Sequence, residues 1–134
     1  MEGESMEEKE LIALAQQQLQ HSYAPYSGFR VGAALLAKSG KVYVGCNIEN
    51  AAFPVTVCAE RVALFSAVAA GERAFSKLAV VGGKDGVLTD FCYPCGSCRQ
   101  VLSEFCSAGL EILLFNGTAV QKSTLGWLMP HPFK

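Results

Sequence analysis

Cys58, Ala59 and Glu60, together with Pro94-Cys95-Gly96-Ser97-Cys98 further along, are the residues of this chain best equipped for chemistry. Cys-x-x-Cys behind a proline supplies two soft metal ligands, and Cys58 supplies a third. Three thiolates hold Zn2+ at three corners of a tetrahedron and leave the fourth open to water, which is the arrangement of a catalytic and not a structural zinc. One ion per chain uses all three cysteines. Glu60 lies too close to Cys58 in sequence to share ligand duty and is placed to move protons beside the metal.

The run Cys92-Tyr93-Pro94-Cys95-Gly96-Ser97-Cys98 offers two rival readings. Cys-x-x-Cys-x-x-Cys begins an iron–sulfur pattern, although the fourth cysteine at short spacing and the proline after it are missing. Cys92 could instead complete a four-ligand structural zinc. Pro94 starts a new element at Cys95, which turns Cys92 away from the metal. Cys46, in an apolar strand-like run, and Cys106, near the end of a helical pattern, read as small buried residues. Arg61 either donates to a thiolate or is an ordinary surface cation on a helix.

These residues need elements that bring them together. Helical periodicity runs from Glu7 to His21, with Leu11, Leu14, Ala15 and Leu19 on one face. Ala24 to Gly28 is a turn, Val31 to Ala37 an apolar strand, and Ser39-Gly40 closes a hairpin into Lys41 to Ile48. Cys58 to Ala70 reads as a buried helix stopped by Gly71. Leu78 to Val81 is a short strand and Gly96 to Cys106 a second helix. Leu110 to Phe115 is a strand, Asn116-Gly117 a turn and Thr118 to Gln121 a last strand. Thr124 to Met129 is a short helix capped by Ser123 or Thr124. Cys58 thus opens one helix, and Cys95 and Cys98 another, so two partly positive helix ends face the thiolates. An antiparallel hairpin followed by helix-separated strands predicts parallel pairing in the second half. The whole is a three-layer α/β/α domain with a mixed five-stranded sheet, helices covering both faces.

At 134 residues the chain is one domain, 1–134, with enough length for one core. A hydrophobic fraction of 51% with only 17% charged excludes disorder and favours an oligomer. The net charge of −1 and the lack of a basic stripe argue against a nucleic-acid polymer as ligand. Leu110 to Phe115 is far too short to span a bilayer. Met1 to Glu10 is acidic and has no apolar core, so it does not read as a signal peptide. A cytoplasmic location follows, and there six cysteines suggest metal or redox chemistry before disulfides.

Cys58-Ala59-Glu60-Arg61, Pro94-Cys95-Gly96-Ser97-Cys98-Arg99-Gln100-Val101 and Gly45-Cys46-Asn47-Ile48-Glu49-Asn50-Ala51 resemble the small homotetrameric cytidine deaminases. So do Tyr23-Ala24-Pro25-Tyr26-Ser27 and Val31-Gly32-Ala33-Ala34-Leu35, and the likeness runs in order over nearly the whole chain. The zinc segments alone are the general pattern of zinc nucleobase deaminases; Asn-Ile-Glu-Asn is what points to free nucleosides. The resemblance implies Zn2+ on Cys58, Cys95 and Cys98. It implies hydrolysis of cytidine and 2′-deoxycytidine to uridine and 2′-deoxyuridine with loss of ammonia, a pyrimidine-salvage reaction that needs no organic cofactor. Glu60 would take a proton from the attacking water and return protons to N3 and to the departing amine. Asn47 and Glu49 would bond the ribose 3′-hydroxyl, Phe29 would pack on the pyrimidine, the Ala59 N–H would donate to it, and Arg61 would bond the thiolates. Phe133 would cover the base in a neighbouring subunit's pocket, within a homotetramer of shared active sites.

The sequence departs from that pattern twice. Gly126 to Phe133 is looser than the family's Glu-Leu-Leu-Pro segment, and relatives run several residues past Lys134, which leaves Phe133 with little to anchor it. Tyr93 stands where relatives carry a small serine before the proline, and either crowds the pocket or reshapes a wall near the zinc. Two other classes compete with a nucleoside deaminase. One is the same chemistry on another small aminopyrimidine, such as a nucleoside antibiotic, against which the Asn47–Glu49 ribose reader argues. The other is a non-catalytic zinc or iron–sulfur protein, which metal analysis distinguishes.

Overall fold

The apolar runs form one sheet because its three central strands each feed two cores. The computed structural model of the chain describes residues 3–133. Its strands are β1 (Phe29–Ala37), β2 (Val42–Cys46), β3 (Phe75–Lys84), β4 (Glu111–Phe115) and β5 (Val120–Thr124), in the spatial order β2-β1-β3-β4-β5. In β1, Ala33, Leu35 and Ala37 enter one core while Ala34 and Leu36 enter the other. Leu78 and Val80 alternate in the same way with Ala79 and Val81, as do Ile112 and Leu114 with Leu113 and Phe115. A strand buried on both faces has no polar side to show, which is why these segments read as unbroken apolar runs.

Helix α1 (Met6–Gln17) covers one face through Leu11, Ile12 and Ala15. Helices α2 (Ala59–Ala69), α3 (Gly96–Phe105) and α4 (Leu125–Leu128) cover the other through Ala59, Ala63, Leu64, Ala67, Leu102 and Leu125. The result is the three-layer α/β/α domain with a mixed five-stranded sheet that the sequence predicts. Only β3 and β4, which α3 separates, pair in parallel; β1–β2, β1–β3 and β4–β5 are antiparallel. Parallel pairing in the second half therefore reaches one pair and stops at the Asn116-Gly117 turn.

Boundaries differ from the sequence expectation where side chains and backbone compete. Ser5 and Glu8 form a reciprocal capping box, each backbone N–H donating to the other's side chain at 3.1 Å, so α1 opens at Met6. Its last turn tightens into a 3-10 segment, Gln18–His21. β3 is longer than Leu78 to Val81 because Gly82, Gly83 and Lys84 pair with Val31, Arg30 and Phe29 of β1. β5 begins at Val120, later than expected. The Asn116 Oδ1 accepts the N–H groups of Thr118 and Ala119 at 3.0 and 2.7 Å, which holds those residues in the turn.

Candidate active site

Two helices begin at one point, and the cysteines sit at their first residues. Cys58 is the N-cap of α2 and Cys95 the N-cap of α3, both in extended backbone. Cys98 lies in the first turn of α3 and donates its backbone N–H to Cys95 Sγ at 3.5 Å. The Cys58 and Cys95 sulfurs are 3.7 Å apart, and all three sulfurs lie within 4.8 Å of one another. Among the described residues no other group of three His, Cys, Asp or Glu could hold a metal ion. Zinc bound at about 2.3 Å to each of two tetrahedral thiolates sets them about 3.8 Å apart, so the spacing fits zinc.

A glycine brings α2 to this point. A Cβ on Gly45 of β2 would stand 2.5 Å from the Ala59 carbonyl oxygen and 2.6 Å from the Ala63 nitrogen. The helix backbone therefore rests on strand backbone, and nothing in the local sequence announces that contact. A second tie lines up the neighbouring loop: Ile48 and Val57 exchange backbone hydrogen bonds of 2.9 and 3.0 Å, which lays Asn47–Glu49 beside the run into Cys58.

Charge at the cluster is balanced locally. Arg61 Nη2 donates to Cys58 Sγ at 3.5 Å, and its Nε–H is buried without a partner. A cation with a spare donor beside a cysteine sulfur suits a thiolate, not a neutral thiol. Cys98, then Arg61 and Cys95, donate to Cys58 and hold its thiol well below the ordinary range. Cys98, the donor in that pair and fully buried, is pushed far up. Glu60 is 4% exposed, and burial, aided by repulsion from Cys58, lifts its carboxyl to about 7.

Next to the sulfurs is a cavity of about 190 Å³, lined by Val31, Asn47, Val57, Glu60, Cys92 and Tyr93 beside Cys58 and Cys95. A cleft of about 500 Å³ around Gln17, Arg30 and Asp85 is larger but has no ligand cluster. Cys92 is outside the metal group, as Pro94 suggests, yet it does not turn away from the site: it forms part of this wall. Burial, then Glu60, Cys58 and Cys95, push its thiol up to about 12, so it stays neutral. Its sulfur and Phe29 Cε2 would lie 2.9 and 3.1 Å from a Cβ on Gly82, so a bare backbone is what lets both pack there. No motif marks Val57 of this wall or Gly82 behind it, and the Cys-x-x-Cys-x-x-Cys run marks Cys92 as a ligand and not as the wall residue it is.

Asn47, Ala59, Glu60 and Arg61 come together with the three cysteines. The Asn47 Oδ1 accepts from Val31 N–H at 2.9 Å and from the Ser22 hydroxyl, and its Nδ2 donates to the Phe29 carbonyl at 2.8 Å. Glu49 is buried behind it and does not line the cavity. Its carboxylate accepts from Tyr26 N–H at 2.9 Å, Ser27 N–H at 3.1 Å and the Ser27 hydroxyl. Phe29 packs behind the wall on Gly82 with its ring partly exposed. Phe133 stands outside its own chain's cavity, 90% exposed. It is not loosely held, contrary to the sequence expectation. Gln100 Nε2 donates to its carbonyl at 2.7 Å, and its N–H donates to Gln100 Oε1 at 3.1 Å.

A three-cysteine site at paired helix starts on a mixed sheet, with a buried glutamate beside it, defines the class of zinc hydrolases that act on amino-substituted bases. Residues 5–112 match the family described as the cytidine and deoxycytidylate deaminase zinc-binding region, and the chain belongs to that family. It is 45% identical over 129 residues to a cytidine deaminase of Sporosarcina psychrophila, covering 96% of this chain and 92% of that one. A cytidine deaminase of Halalkalibacterium halodurans is 43% identical over 129 residues, 96% of this chain and 95% of that one. The crystal structure of cytidine deaminase from Burkholderia pseudomallei superposes with a TM-score of 0.86 at 45% identity, covering 93% of this chain and 98% of that one.

Proposed function

We propose that this chain hydrolyses cytidine and 2′-deoxycytidine to uridine and 2′-deoxyuridine with release of ammonia, a step of pyrimidine salvage. The observation that carries the reading is a buried carboxylate, Glu60, lining one small cavity with Cys58 and Cys95 of the three-cysteine cluster, on this family's fold. Zn2+, one per chain on Cys58, Cys95 and Cys98, supplies Lewis-acid activation of the attacking water. Glu60 accepts the water's proton and, screened from bulk solvent, returns protons to N3 of the base and to the amine leaving C4. Arg61 offsets thiolate charge. Ala59 opens α2, so its N–H has no partner within the helix and donates to the pyrimidine.

Asn47 and Glu49 hold the ribose. Asn47 keeps one N–H of its amide to donate to a sugar hydroxyl. Glu49 accepts three hydrogen bonds from the protein, and a carboxylate has about four acceptor positions, so one remains for the 3′-hydroxyl. A buried carboxylate at that place repels a phosphate, which makes free nucleosides the substrates. Phe29 packs on the base. Phe133 covers the base in a second subunit of a homotetramer. The exposed rings of Tyr23, Tyr26, Phe29, Phe53 and Phe133 support an assembly, being more aromatic surface than one small domain leaves in water. The protein works in the cytoplasm, where thiols stay reduced; no helix is long and apolar enough to cross a membrane among the described residues.

The test is Glu60→Gln. The variant is expected to keep zinc and fold while turnover of cytidine falls by about 10²–10⁴-fold or more. Near wild-type turnover in the variant would remove Glu60 as the proton carrier. The same assay on cytidine 5′-monophosphate should give little product with the wild-type protein.

A further inference from the structure

Phe133 is the most exposed large apolar side chain among the described residues, yet its backbone is held at both ends of the residue by one amide. Paired bonds from a single glutamine fix the direction of that residue as well as its place. The segment leading to it is tied a second time: Arg99 donates from Nη1 to the Leu128 carbonyl at 2.9 Å and from Nε to the Pro94 carbonyl at 2.7 Å. Arg99 and Gln100 follow the ligand Cys98 directly on α3. The chain's last described residues are thus fastened to the helix that holds the metal ligands. Hydrogen bonds at the surface add little stability once the entropy of ordering a glutamine and a tail is charged against them. What the pair does supply is a fixed aim for a ring that its own chain leaves uncovered.

We propose that Gln100 is a positioning residue for the deamination reaction: it clamps the Phe133 backbone so that the ring is presented, in register with α3, to the cavity of a second copy of this chain. The inference rests on the reading of Phe133 as the neighbour's cap. The second copy is the fitting occupant because the ring does not line its own cavity. The wall of that cavity carries the half-exposed Tyr93, suited to meet another aromatic ring. Gln100 touches no substrate; it acts through Phe133.

The experiment compares Gln100→Ala, Phe133→Ala and the double variant in the full-length, zinc-loaded protein. Steady-state kinetics on cytidine are read together with zinc content and amide hydrogen exchange of the C-terminal peptide. Each single change is expected to raise KM about tenfold, the loss of a well-placed aromatic contact, with kcat changed less than about twofold. The double variant should be no worse than either single one, because the two residues act as one unit. Exchange in the tail should rise in Gln100→Ala while the rest of the protein and the zinc content are unchanged. Gln100→Glu keeps the acceptor for the Phe133 N–H and loses the donor to its carbonyl, and should fall between. If Phe133→Ala raises KM but Gln100→Ala does not, the positioning role falls and the cap stands. If Phe133→Ala has wild-type KM, cap and clamp fall together. Loss of zinc in both Gln100 variants would overturn the inference in favour of support for the metal helix.

Discussion

At Cys58 and Cys95 one residue ends a loop, caps a helix and offers a sulfur to the same small volume. Cys92 is close by and does none of these things; it is a neutral thiol in the cavity wall. Position on the chain therefore separates ligand from bystander, and substitution should show it. Cys58→Ser, Cys95→Ser and Cys98→Ser are each expected to lose zinc and to melt earlier, since binding energy at such a site is partly folding energy. Cys92→Ser should retain about one zinc per chain by metal analysis. The three-cysteine cluster was legible from residue type and spacing, because local chemistry places it. The wall role of Cys92 was not, because it depends on a glycine in another strand. The bonds that commit most of Asn47 and Glu49 to the loop from Ser22 to Val31 were equally hidden, being set by chain packing and not by motif.

Helix α2 carries both Cys58 and Glu60 at its start, so whatever moves the helix moves metal ligand and proton carrier together. Its seat is Gly45, where added volume meets backbone at 2.5 Å and has no flexible side chain to displace. Gly45→Ala should destabilise the fold by about 1–3 kcal/mol, weaken zinc and lower turnover, all three in one variant. Gly96→Ala, at a position with open space although it lies between Cys95 and Ser97, should leave the melting temperature in place. Thermal melts with a zinc titration on the two variants check this. The elements themselves were readable from apolar runs, turn residues and caps, down to Thr124 as the cap of α4, which accepts the Trp127 N–H at 3.2 Å. Strand ends were less so: β3 runs on through Gly82 and Gly83 because partners on β1 continue, a fact about pairing that a glycine pair conceals.

The outer face is fastened across the whole molecule by one carboxylate. Glu8 of α1 accepts from Lys77 of β3 at 2.9 Å and from Lys122 of β5 at 3.0 Å, and Lys77 also meets Glu111 of β4 at 3.6 Å. The hydrogen bond from Lys77, joined by Lys122 and Ser5 against the cost of burial, holds the Glu8 carboxyl down at about 2. A carboxylate depressed in the folded state stabilises the protein fully above the unfolded value near 4.5, and that contribution fades as pH falls from there toward 2. Melting temperatures of wild type and Glu8→Gln should therefore differ at pH 6 and converge as the pH approaches 2. A melting-temperature gap that stays constant over that range would show that the charge on Glu8 is not what holds the layers. Layering and strand count could be anticipated from the sequence, whereas this clamp and the Gln100 hold on Phe133 join residues too far apart in the chain for any periodicity to reveal.

The closeness of the Cys58 and Cys95 sulfurs, 3.7 Å across a separation of 37 residues, bears on how the protein keeps on the bench. Cys95 is exposed and Cys58 partly so, and air can reach both once a chelator has stripped the metal. Dissolved oxygen can then take two electrons and two protons from the pair and leave a covalent bridge where two ligands were. Stripped stocks stored in air should lose two titratable thiols per chain and the capacity to take up zinc, and should regain both after treatment with a thiol reductant. Loaded stocks should keep all of their thiols. Zinc in this fold then acts as a preservative for the site that binds it.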